Sequence, residues 1–271
     1  AALQLSPRLA QNGIKLDWAI WFAAILVCIG LLVFVIYMLI DIKVDKQLEQ
    51  KELLTKEDKF KMKDILDIIK NPAYIMIALI CLTFYSAVFP FMAFAPDFFY
   101  HKFGVSYVQS GQITSLLPLG TLFFTPLFGF LIDRFGKAAS AMIFGSFALF
   151  IVHITFSFTN TPPQALMILL GVAFSLVPAA MWPSMVRLVK EKQIGTAYGL
   201  MYSIQNLGLW GFPILAGIIL DKANPGNPET LNYTPTMIMF AALGLLGLFF
   251  ALLLKYYDKK RGFGVDLPLN K

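Results

Sequence analysis

The chain has 271 residues, 58% of them hydrophobic, 15% aromatic and only 14% charged, with a formal net charge of +6. Soluble domains carry roughly 25% charged residues, so this composition excludes a soluble globular enzyme and a disordered chain, and two cysteines exclude a secreted disulfide scaffold. What remains is an all-α, polytopic membrane protein.

The chain opens on Ala1, and no basic segment or small-residue cleavage site precedes the first apolar run, so the expectation is no signal peptide and a processed, trimmed or partial chain. Seven segments are apolar enough to cross about 30 Å of hydrocarbon: 18–42, 72–95, 109–132, 138–158, 164–186, 194–220 and 233–254. None alternates polar and apolar residues as transmembrane strands do. The second opens Asn71-Pro72, a capping residue followed by proline at the first helical position. Cys28 and Cys81 lie in apolar runs and read as small buried hydrophobes.

These spans divide the chain into an external segment with the first helix (1–42), a cytoplasmic linker (43–70), a six-helix transmembrane domain (71–258) and a cytoplasmic tail (259–271). The linker holds eight Lys and, counting Asp41 just before it, eight acidic residues, with no Gly or Pro. Its end, 60–69, is amphipathic and is expected to lie along the membrane surface.

With the amino end outside, segments 43–70, 133–137, 187–193 and 255–271 fall inside and hold 18 of the 22 Lys and Arg residues. Arg8, Lys15, Lys102 and Lys222 remain outside. This asymmetry places the carboxyl end in the cytoplasm. The basic residues are dispersed over short segments, so the positive charge reports topology and no nucleic-acid partner is expected.

The last six spans contain an internal repeat with an offset of 88 residues. Comparing 111–133 with 199–221, the pairs Gly111/Gly199, Ser115/Ser203, Leu119/Leu207, Gly120/Gly208, Phe124/Phe212, Leu127/Leu215, Gly129/Gly217 and Asp133/Asp221 are identical. The same offset relates Pro90 to Pro178, each expected to interrupt its helix. The architecture is thus one helix plus an inverted three-plus-three repeat, because three helices per unit turn the second copy over in the membrane. Inverted repeats are a transporter signature. A seven-helix receptor fits the span count but predicts no such repeat.

Residues 129–137, Gly-Phe-Leu-Ile-Asp-Arg-Phe-Gly-Lys, resemble the Gly-x-x-x-Asp-Arg-x-Gly-Arg/Lys loop of the major facilitator superfamily. In this loop Gly129 is expected to allow close helix approach and Asp133 to meet the amino end of a neighbouring helix. Arg134 and Lys137 should hold the anionic cytoplasmic surface, and Gly136 should make the turn. The resemblance identifies the chain with the sixth helix, central linker and carboxyl half of that twelve-helix family, and implies that an amino-terminal half of the same protein is missing. Ala87-Val88-Phe89-Pro90-Phe91, Trp182-Pro183 and the run from Gly195-Thr196-Ala197-Tyr198-Gly199 to Ser203-Ile204-Gln205-Asn206-Leu207-Gly208-Leu209 are similar to the lysosomal dipeptide transporters and their bacterial relatives. That branch implies alternating-access, uniporter-type movement of dipeptides. The compact loops suit a bacterial inner membrane. Further partners to expect are the bilayer, a small peptide, and a second copy or an accessory protein.

No Asp, Glu, Lys or Arg lies in mid-span; Asp97, Asp133, Arg187 and Asp221 sit at helix ends. A proton-carrying acid, and charged partners for a zwitterionic dipeptide, would have to come from the missing half. The substrate-binding candidates of this half are Trp182, Gln205, Asn206, Tyr85, Phe89 and Tyr202, all on spans that line the cavity in the family. His153 is expected to make a structural hydrogen bond. No catalytic residue, metal or cofactor is expected, because two separated histidines and two apolar cysteines provide no cluster.

Overall fold

The computed structural model describes residues 16–49, 62–226 and 229–268. They form two units, the first holding the described residues up to 49 and the second those from 62 onward. The described part of the first unit is a lone helix, α1 (Leu16–Glu49), whose stretch Ala24–Val44 is apolar and long enough to cross a membrane. α1 runs past residue 42 into the expected linker, since the charged residues that follow are good helix formers with no Gly or Pro among them. Most of the remaining linker lies outside the described residues.

The second unit comprises α2 (Met62–Ile69), α3 (Pro72–Phe103), α4 (Tyr107–Thr114), α5 (Leu116–Phe135), α6 (Ala138–Phe158), α7 (Pro163–Arg187), α8 (Ile194–Ala223) and α9 (Thr234–Arg261). α3 to α9 supply six further membrane-length spans among the described residues, with α4 and α5 counted together. Asn71 caps α3 through its side chain, which accepts the N–H of Ala73 at 3.0 Å.

The proline interruptions expected at Pro90 and Pro178 do not occur, and Pro183 does not break its helix either. α3 and α7 continue through all three, as α3 does through Pro96. A mid-helix proline deletes one N–H and its bond to the carbonyl four residues back, and packing on neighbouring helices sustains the rest. The span expected to be continuous, 109–132, is the one that divides, at Ser115. Pro118 withdraws the N–H that would reach the Thr114 carbonyl, and the helix ladder is lost there.

Packing follows the three-plus-three repeat. α3 packs on α8 and α9, and its counterpart α7 packs on α5 and α6. α6 packs on its own counterpart α9. Each repeat therefore lays its first helix against the second and third helices of the other. The backbones of α6 and α9 approach so closely that a Cβ on Gly244 would sit 2.8 Å from the Phe150 nitrogen. α5 and α8 close the two flanks and bury little of their surface.

Bonds at the two ends fix the alternation of the helices. At one end Asn71 donates to the Leu188 carbonyl (3.0 Å), Gln193 to the Asp64 carboxylate (3.0 Å) and the Lys137 N–H to the Asp266 carbonyl (2.9 Å). At the other, Lys102 donates to the carbonyls of Phe156 and Ser157, and the hydroxyls of Tyr107 and Tyr233 donate to Asp97. α3 and α7 consequently run in opposite senses, so the repeat is inverted. Arg134, Lys137, Arg187, Lys190, Lys192, Lys255, Lys259, Lys260 and Arg261 fall at the first end; Lys102 and Lys222 fall at the second.

Candidate functional site

Along α3, Tyr85 and Phe89 are one turn apart and stack with ring centroids 5.6 Å apart. Phe174 of α7 packs edge-on against both, at 5.8 and 5.6 Å. Two turns along α7, Trp182 donates its indole N–H to the Tyr85 hydroxyl at 3.2 Å. Trp182 then meets Tyr202 at 4.8 Å and Tyr198 at 5.6 Å, the latter in a parallel stack. Six rings from three helices thus form one continuous wall. Tyr85 is nearly closed off, whereas Phe89 is 46% and Tyr202 50% exposed, so the wall offers free ring faces.

Four candidates from the sequence, Tyr85, Phe89, Trp182 and Tyr202, converge in this wall. Two do not join it. Gln205 is buried and accepts from the Cys81 thiol at 3.9 Å, which makes it an α3–α8 packing contact. Asn206 turns its amide back onto the Tyr202 carbonyl of its own helix at 2.9 Å. Sequence reasoning misses Phe174 and Tyr198. Tyr198 carries a signal, being one turn from Tyr202 on the same face; Phe174 carries none, since nothing distinguishes it among 26 phenylalanines.

The wall carries no charge. Residues 73–96, 163–186 and 194–220 contain no Asp, Glu, Lys, Arg or His. His153 lies elsewhere, fully buried in α6 between Phe91 and Phe240, with Nδ1 2.9 Å from the Leu149 carbonyl. Among the described residues, no three His, Cys, Asp or Glu side chains cluster to hold a metal. The wall can stack on apolar or aromatic groups, attract a cation to a ring face, and exchange neutral hydrogen bonds.

The signature loop lies at the basic end. Gly136 adopts φ +71°, and a Cβ there would fall 2.3 Å from the Asp266 carbonyl oxygen. Lys137 holds a left-handed φ of +64°, which costs a non-glycine residue ~1 kcal/mol. The segment 262–268, expected to belong to a cytoplasmic tail, packs back on the loop and offsets that strain. Its Asp266 accepts the N–H of Lys137 at 2.9 Å through the main chain and that of Ala139 at 2.8 Å through the carboxylate. Asp258 accepts the N–H groups of Val265 (3.0 Å) and Asp266 (3.2 Å), and Arg187 donates to the Gly264 and Leu267 carbonyls. The carboxylate that bonds the amino end of α6 is Asp266. Asp133 is half-buried and makes no side-chain hydrogen bond among the described residues. A Cβ added at Gly129 would meet nothing within 4 Å among the described residues, because α5 lies on the flank of the unit, so no described helix makes the expected close approach there. Arg134 is exposed, its guanidinium 5.4 Å from the Phe135 ring.

The sequence profile of the Major Facilitator Superfamily matches residues 5–210 and 77–265. The lysosomal dipeptide transporter MFSD1 of Mus musculus is 38% identical over 183 residues, covering 68% of this chain and 39% of its own length. Its Danio rerio counterpart is 36% identical over 192 residues, covering 71% and 40%. Among solved structures, a crystal structure of a mutant peptide transporter POT in complex with alafosfalin has the same fold, with a TM-score of 0.59 at 15% identity over 71% of this chain and 39% of that one. The chain spans about two fifths of the length of the curated relatives it matches.

Proposed function

The chain belongs to the major facilitator superfamily, and from that premise we propose that it forms the carboxyl half of an alternating-access transporter of dipeptides. The uncharged aromatic wall is the observation that carries this reading. It lies on α3, α7 and α8, which belong to two inverted repeats packed reciprocally, an arrangement that can exchange two conformations about a fixed site. The relatives' name, lysosomal dipeptide transporter, supports the substrate class. The wall takes the side chains of the dipeptide. Its charged ends find their main partners on helices that the relatives carry beyond the matched part, because burying them unpaired is prohibitive. With no acid at the level of the wall, this half moves no proton of its own, in keeping with a uniporter.

The basic end faces the cytoplasm and the end with Asp97 faces outward, as the distribution of Lys and Arg favours. α2 lies at the cytoplasmic interface. Its Ile68 and Asp64 face the bundle, while Met62, Leu66 and Ile69 form an exposed apolar stripe and Lys63 and Asp67 a charged one. The site residues are Tyr85, Phe89, Phe174, Trp182, Tyr198 and Tyr202. Gly136, Lys137 and Asp266 fix the signature loop, from which Asp133 is free to engage the other half. Short loops favour a bacterial inner membrane for this chain.

Binding of dipeptides to the complete purified protein, read by calorimetry, tests the reading. Saturable binding of dipeptides in preference to free amino acids is expected, and binding of neither would reject it.

A further inference from the structure

α7 holds a second feature beside the aromatic wall. Phe174, Pro178 and Trp182 follow one another at four-residue intervals and so lie on one stripe of the helix. All three are half-buried, whereas Ser175 and Met181 on neighbouring stripes are closed off. Pro178 has no N–H, so the Phe174 carbonyl lacks the bond it would receive in an ordinary helix. Among the described residues the side-chain bonds along this helix, from Ser175 to the Gly171 carbonyl and from Ser184 to the Ala180 carbonyl, leave the Phe174 carbonyl without a side-chain donor. A carbonyl without its usual partner four residues on therefore lies on the stripe whose two rings belong to the wall.

The inverted repeat supplies an internal comparison. Pro90 frees the Ser86 carbonyl of α3 by the same chemistry, but Pro90 and Ser86 are both buried, and a Cβ on Gly208 of α8 would lie 2.1 Å from the Ser86 hydroxyl. That carbonyl lies in the α3–α8 packing. Phe94 follows on that α3 stripe but is no part of the wall, whereas the α7 counterpart shares its stripe with two of the wall's rings.

We propose that the Phe174 main-chain carbonyl is the acceptor in this half for the α-ammonium group of the substrate. The proposal rests on the dipeptide reading and adds to it one atom and one end of the substrate. A carbonyl dipole and ring faces attract a cation without a formal negative charge in the membrane. This explains how a half with no acid at that depth contributes to recognising a charged amino group. It also accounts for a proline in mid-helix, where its missing bond would otherwise be pure loss.

A main-chain carbonyl cannot be substituted, but Pro178→Ala restores the N–H that re-engages it. The measurement is competition binding to the complete protein by alanyl-alanine and by propionyl-alanine, which differs only in lacking the α-ammonium. The preference of the wild type for alanyl-alanine should fall about tenfold in Pro178→Ala, the size of one hydrogen bond to a charged group. Propionyl-alanine should bind the variant as it binds the wild type. Pro183→Ala straightens the same helix but rejoins the Ala179 carbonyl on the neighbouring stripe, so any effect should fall on both ligands equally. An unchanged preference in Pro178→Ala, or the same pattern in both variants, overturns the proposal while leaving the dipeptide reading intact. Failure of the wild type to bind either ligand overturns both.

Discussion

Trp182 donates its indole N–H to the Tyr85 hydroxyl at 3.2 Å, and this bond joins the two groups of rings that make up the aromatic wall. It ties α7 to α3, the first helices of the two inverted repeats, which otherwise touch only lightly. A substrate lying on the wall thus rests on both repeats.

Removing that bond should weaken binding without unfolding the protein. Tyr85→Phe keeps the rings and loses the acceptor, and a net contribution of about 0.5–1.5 kcal/mol corresponds to a loss of roughly twofold to tenfold in dipeptide affinity. Trp182→Ala removes the central ring as well and should cost more. Calorimetry on variants with unchanged melting temperature checks both.

The packing of α6 on α9 makes a separate stability prediction. A Cβ on Gly244 would press on the Phe150 backbone, which cannot move aside as a side-chain tip can, whereas a Cβ on Gly211 meets nothing within 4 Å in this chain. Gly244→Ala should therefore destabilise the protein by about 1–3 kcal/mol through overpacking, seen as a lower melting temperature in detergent, and Gly211→Ala should not.

The signature loop depends on the segment that follows α9. Asp266→Ala removes the oxygen that accepts the Ala139 N–H, and Asp266→Asn retains one. Hydrogen exchange of the peptide spanning 135–141 should quicken in the alanine variant and stay near wild type in the asparagine variant. Equal exchange in all three would mean that the segment does not hold the loop.

At the opposite end, the Tyr233 hydroxyl donates to Asp97. Burial first, and then the adjacent carboxylate, push the Tyr233 phenol well above its ordinary value. A raised phenol contributes stability in full below the unfolded value near 10, and that stability is lost only as pH rises through the folded value. The melting-temperature difference between wild type and Tyr233→Phe should therefore be constant from pH 6 to pH 9. A difference that vanishes by pH 9 would contradict this bond.

Much of this architecture is legible in the amino-acid sequence. Span length and apolarity depend on composition alone, and the 88-residue offset marks the two repeats, while which helices pack on which emerges only from the structure. Trp182, Tyr85 and Phe89 stand out because they flank mid-helix prolines, but that their rings meet Tyr202 in one wall is seen only in the packing. Gln205 reads two ways in the sequence because a mid-span amide serves a substrate and a neighbouring helix equally well, and only packing reveals that it faces Cys81. The bond of Asp266 to the amino end of α6 is not legible, since a contact between residues 127 positions apart (Ala139 and Asp266) leaves no local trace. Pro90 and Pro178 read as breaks because a proline's local cost is legible, whereas the tertiary packing that outweighs it is not.

Dipeptide flux into liposomes carrying the complete protein tests the central claim most directly. Wild-type protein should exchange labelled dipeptide for unlabelled dipeptide across the membrane with no imposed proton gradient, and Trp182→Ala should lower that exchange at least tenfold with the fold retained. Flux that requires a proton gradient would contradict the uniport reading. Equal exchange by wild type and Trp182→Ala, or no dipeptide exchange at all, would contradict the assignment of the aromatic wall as the substrate site.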